Sequence, residues 1–304
     1  MKYQINKITI LVGMCLAAIL IPASVSAVTV GPAKIEYSVD PGTTLKGEMF
    51  LKNESKEVKT YYPSFEKFTE QNGVKKFVTD KSLIASWIST EESVTIEAGA
   101  ERHFPFSIDI PADAPPGGHF AIIWWSTTPP ASTTPGSTEQ VAIQTRAGVL
   151  VYLNVKGNLQ ESAAITTFKT DSKIISNPKT IFRATITNDG NGYIKPEGKI
   201  VISSLFGRQR DMLQFNGKGL QILPKSFRDF SIDSWKGSGI YIGPYKAELT
   251  VTYGESGKTT SQSIWIWVIP WVLIAEILVG IIVLFFGFKK YNQWIIKRAQ
   301  SKKA

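Results

Sequence analysis

Few residues in this chain have the types and spacing that chemistry needs. Asp189-Gly190-Asn191-Gly192 looks like part of a calcium loop. Placing Asp189 and Asn191 at the third and fifth positions of such a loop puts Thr187 first and Gly198 twelfth, where carboxylates are required. The stretch is therefore read as a hairpin turn in which Gly and Asn supply positive φ. His103 and His119 have no Cys or His close in sequence to complete a metal site, and are read as strand-face or turn residues. Serine-nucleophile, zinc-protease and phosphate-cradling motifs are absent. The reading is a non-enzyme with no catalytic, cofactor-binding or metal-binding residue and no cofactor. Asn53-Glu54-Ser55 matches the N-glycosylation pattern, a short and common triplet.

Two features stand above this background. Thr127–Thr138 (TTPPASTTPGST) contains only Thr, Ser, Pro, Gly and Ala. It is either a solvated hairpin tip, a ligand-contacting loop or a glycan-bearing segment. Its candidate contacts are Thr127, Pro129, Pro130, Thr133 and Pro135. The second feature is Glu276, the one ionisable residue in the apolar stretch Val268–Phe288. A carboxylate inside a bilayer either snorkels to the interface or meets a partner helix. Gly280, four residues on, lies on the same helical face and would allow that helix to approach closely.

The elements that hold these residues are framed by two membrane signals. Residues 1–27 have a Lys2/Lys7 n-region, an apolar core and a Val25-Ser26-Ala27 cleavage pattern, so they read as a secretory signal peptide. The single cysteine, Cys15, falls inside it, which leaves the mature chain without a disulfide. Residues 268–288 read as one transmembrane helix with Trp265, Trp267 and Trp271 at its outer end. Residues 289–304 carry six basic residues and no acid, which makes them a cytoplasmic tail and the protein a single-pass membrane protein with its body outside. The net charge of +9 is concentrated in the leader and tail, so the exported body is left near +2. Nothing in its charge argues for nucleic acid.

Between these signals, short alternating runs rich in β-branched and aromatic residues are split by Gly, Pro, Asn and Asp. The expected fold is all-β: two tandem immunoglobulin-like β-sandwiches, residues 28–157 and 158–267, followed by the transmembrane helix. Three landmarks recur in order in both halves. They are Asn at a strand end (Asn53, Asn188), a strand ending in Asp (Asp109, Asp233), and Gly-x-aromatic opening a strand (Gly118, Gly243). Their unequal spacing implies about ten extra residues in the first domain, expected within 66–84.

This order of segments resembles the WxL-interacting surface proteins of Gram-positive bacteria. The local resemblance lies in Asp40-Pro41-Gly42, Asp80-Lys81-Ser82-Leu83, the Ile110–Gly118 run, Leu223-Pro224-Lys225-Ser226 and Gly243-Pro244-Tyr245-Lys246-Ala247. It implies peptidoglycan as a ligand of the first domain and a partner surface protein for the second. The function expected is a membrane-anchored surface adaptor contacting cell-wall polymer or another exported protein. The alternative is an assembly subunit, chaperone-like, of a surface complex.

Overall fold

The computed structural model describes residues 27–78, 83–129 and 146–300. Residues 1–26 of the expected signal peptide, together with Pro130, Thr133 and Pro135, lie outside them. The chain is mostly β, with one C-terminal helix, and forms two compact units. The first holds the residues up to Thr69 and Lys76–Gly157; the second holds Glu70–Lys75 and the chain from Asn158 on.

In the first unit, one sheet runs in the order β1 (Val28–Gly31), β3 (Thr44–Asn53), β8 (Glu101–Asp109), β6 (Ile88–Thr90). The other runs β2 (Lys34–Val39), β10 (Arg146–Val155), β9 (Gly117–Ser126), β4 (Lys59–Gln71), β5 (Val74–Val78), with β7 (Val94–Ile96) on β4. A 3-10 turn spans Leu83–Trp87. Side chains alternate across a strand, so every second residue of β9 and β10 faces the other sheet. Ala121, Ile123, Trp125, Val149, Val151 and Leu153 thus share one core with Met49, Leu51, Phe104 and Ile108. Phe104 meets Trp125 edge-on at 5.0 Å between centroids. Each Val, Leu, Ile, Met or Phe side chain here contributes about 1.5–3 kcal/mol when fully buried.

The second unit repeats the plan. One sheet is β11 (Ala163–Thr170), β13 (Lys179–Asn188), β16 (Ser226–Lys236). The other is β12 (Ile174–Ile175), β18 (Lys258–Val268), β17 (Gly243–Tyr253), β14 (Glu197–Ser204), β15 (Gln209–Phe215). Phe182, Ile186 and Phe230 of the first sheet share a core with Ile200, Leu249, Val251 and Ile266 of the second. Strand for strand, β2-β10-β9-β4-β5 corresponds to β12-β18-β17-β14-β15, and β1-β3-β8 to β11-β13-β16. The elements without a counterpart are the 3-10 turn, β6 and β7, within 83–96. The extra length therefore lies mostly beyond the expected 66–84, because the β4–β5 hairpin there has its own counterpart in β14–β15.

Two further expectations are corrected. In Asp189–Gly192 no residue has positive φ. Gly190 instead allows close approach of the chain, since a Cβ there would sit 2.2 Å from the Gln160 carbonyl oxygen. The apolar segment also divides differently. Val268 ends β18, and the helix α1 spans Trp271–Gln300, taking in much of the basic tail. The reason is local. The Ile269 amide donates to the Ile175 carbonyl at 2.8 Å, and Pro270, which has no N–H to satisfy, accepts the first helical bond from Ile274 at 3.0 Å. The stretch Trp271–Ile295 is long and apolar enough to cross a membrane.

Candidate binding rim on the first unit

The first strand of this unit changes sheets part-way. Val28–Gly31 pairs with β3, and the chain joins the other sheet only at Lys34, opposite Leu150 of β10. Consequently Arg146–Val149 of β10 pair with β9 on one side and, among the described residues, with no strand on the other. The Leu150 amide donates to the Ala33 carbonyl at 3.1 Å, so the N–H and C=O of Arg146 and Gly148, in the same strand phase, face the open side. An open edge of this kind is a template for another extended segment.

The outward face beside this edge is organised. Phe120, Ile122 and Trp124 of β9 point away from the core that Ala121, Ile123 and Trp125 enter. The Trp124 indole N–H donates to Glu66 Oε2 at 2.9 Å, and the Arg146 guanidinium lies 4.2 Å above the indole ring. Arg146 and Glu66 are 3.5 Å apart. Phe77 packs edge-on against Trp124 at 5.2 Å, and Phe68 links Phe77 to Phe120 and Tyr152. Gly148 makes the arrangement possible: a Cβ there would fall 2.6 Å from Ile122 and 2.7 Å from the Trp124 ring. The cation–π contact and the half-buried ion pair contribute about 0.5–1 kcal/mol each, enough to fix orientation and little more.

Of the loop candidates, Thr127 and Pro129 are exposed at the end of β9, directly beside this rim, and the Ser126 hydroxyl donates to the Thr128 carbonyl at 2.8 Å. Glu276 and Gly280 lie on α1, both exposed; a Cβ at Gly280 would meet nothing within 4 Å. Those two lie in the second unit, and the rim residues in the first. Trp124, Arg146, Glu66 and Gly148 were not legible as a group from spacing. One signal pointed to them: β9 reads Phe-Ala-Ile-Ile-Trp-Trp, apolar in both phases, so its outward face cannot be an ordinary solvated one.

Other candidate chemistry resolves into structure. His119 packs on Trp87 at 4.8 Å between rings, with Nε2 2.8 Å from the Pro115 carbonyl oxygen. Burial holds its pKa below the ordinary 6.5, and the Lys67 charge adds to this, against the opposing effect of the Pro115 carbonyl. Asn53 is fully buried, and its Nδ2 donates to the carbonyls of Glu57, Ile96 and Glu97, so the atom an N-linked sugar needs is engaged inside the fold. Among the described residues no group of three or more His, Cys, Asp or Glu is placed to hold a metal ion.

No protein-family model matches the chain, and no curated protein matches it. Solved structures similar to it include the class 5 fimbriae chaperone CfaA, with TM-score 0.40 and 13% identity over 80% of this chain and 99% of that one. The E. coli chaperone DraB gives TM-score 0.36 and 11% identity over 80% of this chain and 97% of that one. A chain of the structure of the Salmonella enterica SafA pilin in complex with the SafB chaperone gives 0.35 and 13%, over 81% and 98%. Likeness of this degree extends to neither partners nor activity.

Proposed function

We propose that the chain is a membrane-anchored binding protein of the cell exterior, built of two immunoglobulin-like sandwiches, that holds an extended segment of an exported protein along the open edge of β10. The observation that carries this is the run Arg146–Val149, which pairs with β9 on one side and with no described strand on the other, bordered by the fixed Trp124–Arg146–Glu66 group and by Thr127–Pro129. Backbone hydrogen bonds would supply affinity, and the outward side chains would supply selectivity. Cell-wall polymer fits this rim less well, because the Arg146 guanidinium already covers the indole face on which a sugar ring would stack. A polypeptide ligand supports both an adaptor role, as the resemblance to WxL-interacting surface proteins implies, and an assembly role. The helix α1 would anchor the body, with the basic tail in the cytoplasm.

Site-specific photo-crosslinking in cells tests the reading. A photoreactive residue at Thr127 or Pro129 should capture an exported protein, whereas one at Lys218, in the second unit, should not. Equal capture at all three positions, or none at the rim, would reject it.

A further inference from the structure

The second unit has an apolar end, and it is the end that bears α1. Four pieces of chain meet there, because β12 pairs with Trp267–Val268 at the close of β18, Gly243 opens β17 opposite Val268, and Ser204 closes β14 opposite Tyr245. The pieces are β12, the 205–208 turn, the 237–242 loop and the β18–α1 junction. Phe206 is 93% exposed, Ile240 71% and Ile242 57%; Ile174 and Leu205 are exposed beside them. In a soluble domain, clustered apolar tips of this kind mark a contact surface.

These tips are held outward by the packing behind them. Tyr241 is buried against Trp235 and Tyr245, at 5.3 Å from each ring, which turns its neighbours Ile240 and Ile242 to the outside. A Cβ on Gly237 would meet the Tyr241 ring at 2.7 Å, so glycine is needed for the loop to close on it. Arg210 donates to the Ile240 carbonyl at 3.3 Å and lies 4.8 Å over the Tyr241 ring.

We infer that this end rests in the lipid interface of the leaflet that α1 enters, with Phe206, Ile240 and Ile242 buried among the headgroups and upper acyl chains. The inference depends on the membrane-anchor reading above. Only Ile269 and Pro270 separate β18 from α1, and the chain entering that junction is held by the Trp267 amide to the Lys173 carbonyl, just before β12, at 2.7 Å and by the Ile269 amide to the Ile175 carbonyl of β12 at 2.8 Å. There is no stalk to lift the unit away. Exposed Trp265, Trp267 and Trp271 mark the same level, as an interfacial belt does. Lys173, Lys179, Arg208 and Lys236 stand at this end as well, placed to meet anionic headgroups. Together they favour a bilayer over a second protein as the occupant. The unit would then be held by two attachments, the span and the tips, which fixes its tilt.

The test uses full-length protein with Cys15→Ser, reconstituted in phosphatidylcholine–phosphatidylglycerol vesicles. Single cysteines at Phe206, Ile240, Lys218 and Leu284 carry an environment-sensitive fluorophore, and lipids with spin labels near the headgroup or deep in the acyl chain serve as quenchers. Phe206→Cys and Ile240→Cys should show blue-shifted emission, quenched about twofold or more by the shallow label, as for interfacial side chains. Lys218→Cys, at the opposite end of the unit, should stay unquenched, and Leu284→Cys should be quenched by the deep label. If Leu284 is quenched while Phe206 and Ile240 are not, the anchor stands and this inference is overturned. The same holds if the two tips instead crosslink to a second copy. If Leu284 itself is unquenched, the anchor reading fails and takes the inference with it.

Discussion

Asn53 and Asn188 share three hydrogen bonds made from the same place in the two units. Each is the fully buried last residue of its strand, β3 or β13. Each accepts at Oδ1 from the amide two residues on, Ser55 at 3.0 Å and Gly190 at 2.9 Å. Each donates from Nδ2 to the carbonyl four residues on, Glu57 at 2.7 Å and Gly192 at 2.8 Å. Each also reaches the segment that leads into the next strand of its sheet, at Ile96 (3.1 Å) and Ile222 (2.9 Å). One amide thus ties three pieces of chain together at the same corner of each unit.

Replacing either asparagine should therefore cost more than an ordinary surface change. Asn53→Leu and Asn188→Leu each leave buried carbonyls without donors, at about 1–3 kcal/mol per unsatisfied group. Each variant should lower the melting midpoint of its own unit by several degrees. Asn→Asp should be at least as damaging, because an acceptor would then face carbonyl oxygens. Calorimetry resolving the two units checks this, and midpoints unchanged within a degree would refute the role.

Stability should fall in acid in two steps. His119 has a lowered folded pKa, so the unfolded chain binds its proton first, and stability declines as pH drops below the ordinary 6.5 toward the lower folded value. Glu161 acts at more acid pH. Its partial burial is outweighed by bonds from the Ser256 hydroxyl and from the Glu255 and Ser256 amides, which hold the carboxyl below its ordinary 4.5. The stability it contributes is present above 4.5 and lost as pH falls through the folded value. Denaturant midpoints against pH should show the upper step removed by His119→Phe and the lower one reduced by Glu161→Gln.

Gly148→Val should displace the Trp124 indole. Its side chain would enter the space held by Ile122 and Trp124, and overpacking of this kind costs about 1–3 kcal/mol. Photo-crosslinking at Thr127 should weaken in step, while the melting of the second unit stays unchanged. Retained crosslinking would mean that the outward group is not part of the contact.

On α1, Glu276→Leu should leave membrane insertion intact, because it removes the one carboxylate in that part of the span. If Glu276 meets a partner helix, the same change should reduce co-purification of a membrane protein from mild detergent, as should Gly280→Leu by steric exclusion. Interhelical hydrogen bonds contribute about 0.6–2 kcal/mol, so partial loss is the expected readout. Unchanged recovery with both variants would mean that Glu276 only snorkels.

The β character of the body was legible because alternation in β3, β8 and β17 is clear along a single strand. The recurrence of Asn53 and Asn188 was legible too, although its cause, a buried side-chain amide, was not. β15 (Gln-Arg-Asp-Met-Leu-Gln-Phe) is not legible in the sequence, because an edge strand with one wet face carries little apolar signal. The rim escaped for a different reason. Glu66, Trp124 and Arg146 come from three strands, and their meeting depends on the register of β4 and β10 against β9, which no local pattern encodes. The apolar tips Phe206 and Ile240 are separated in sequence and meet only through the pairing of β14, β17 and β18.

Amide hydrogen exchange on β10 tests the central claim most directly. Full-length protein would be compared alone and in complex with the exported protein that crosslinks at Thr127. Strand addition predicts that the Arg146 and Gly148 amides exchange quickly in the free protein and become strongly protected in the complex, while Leu150, already bonded to Ala33, is protected in both. Unchanged exchange at Arg146 and Gly148 in the complex would contradict the account.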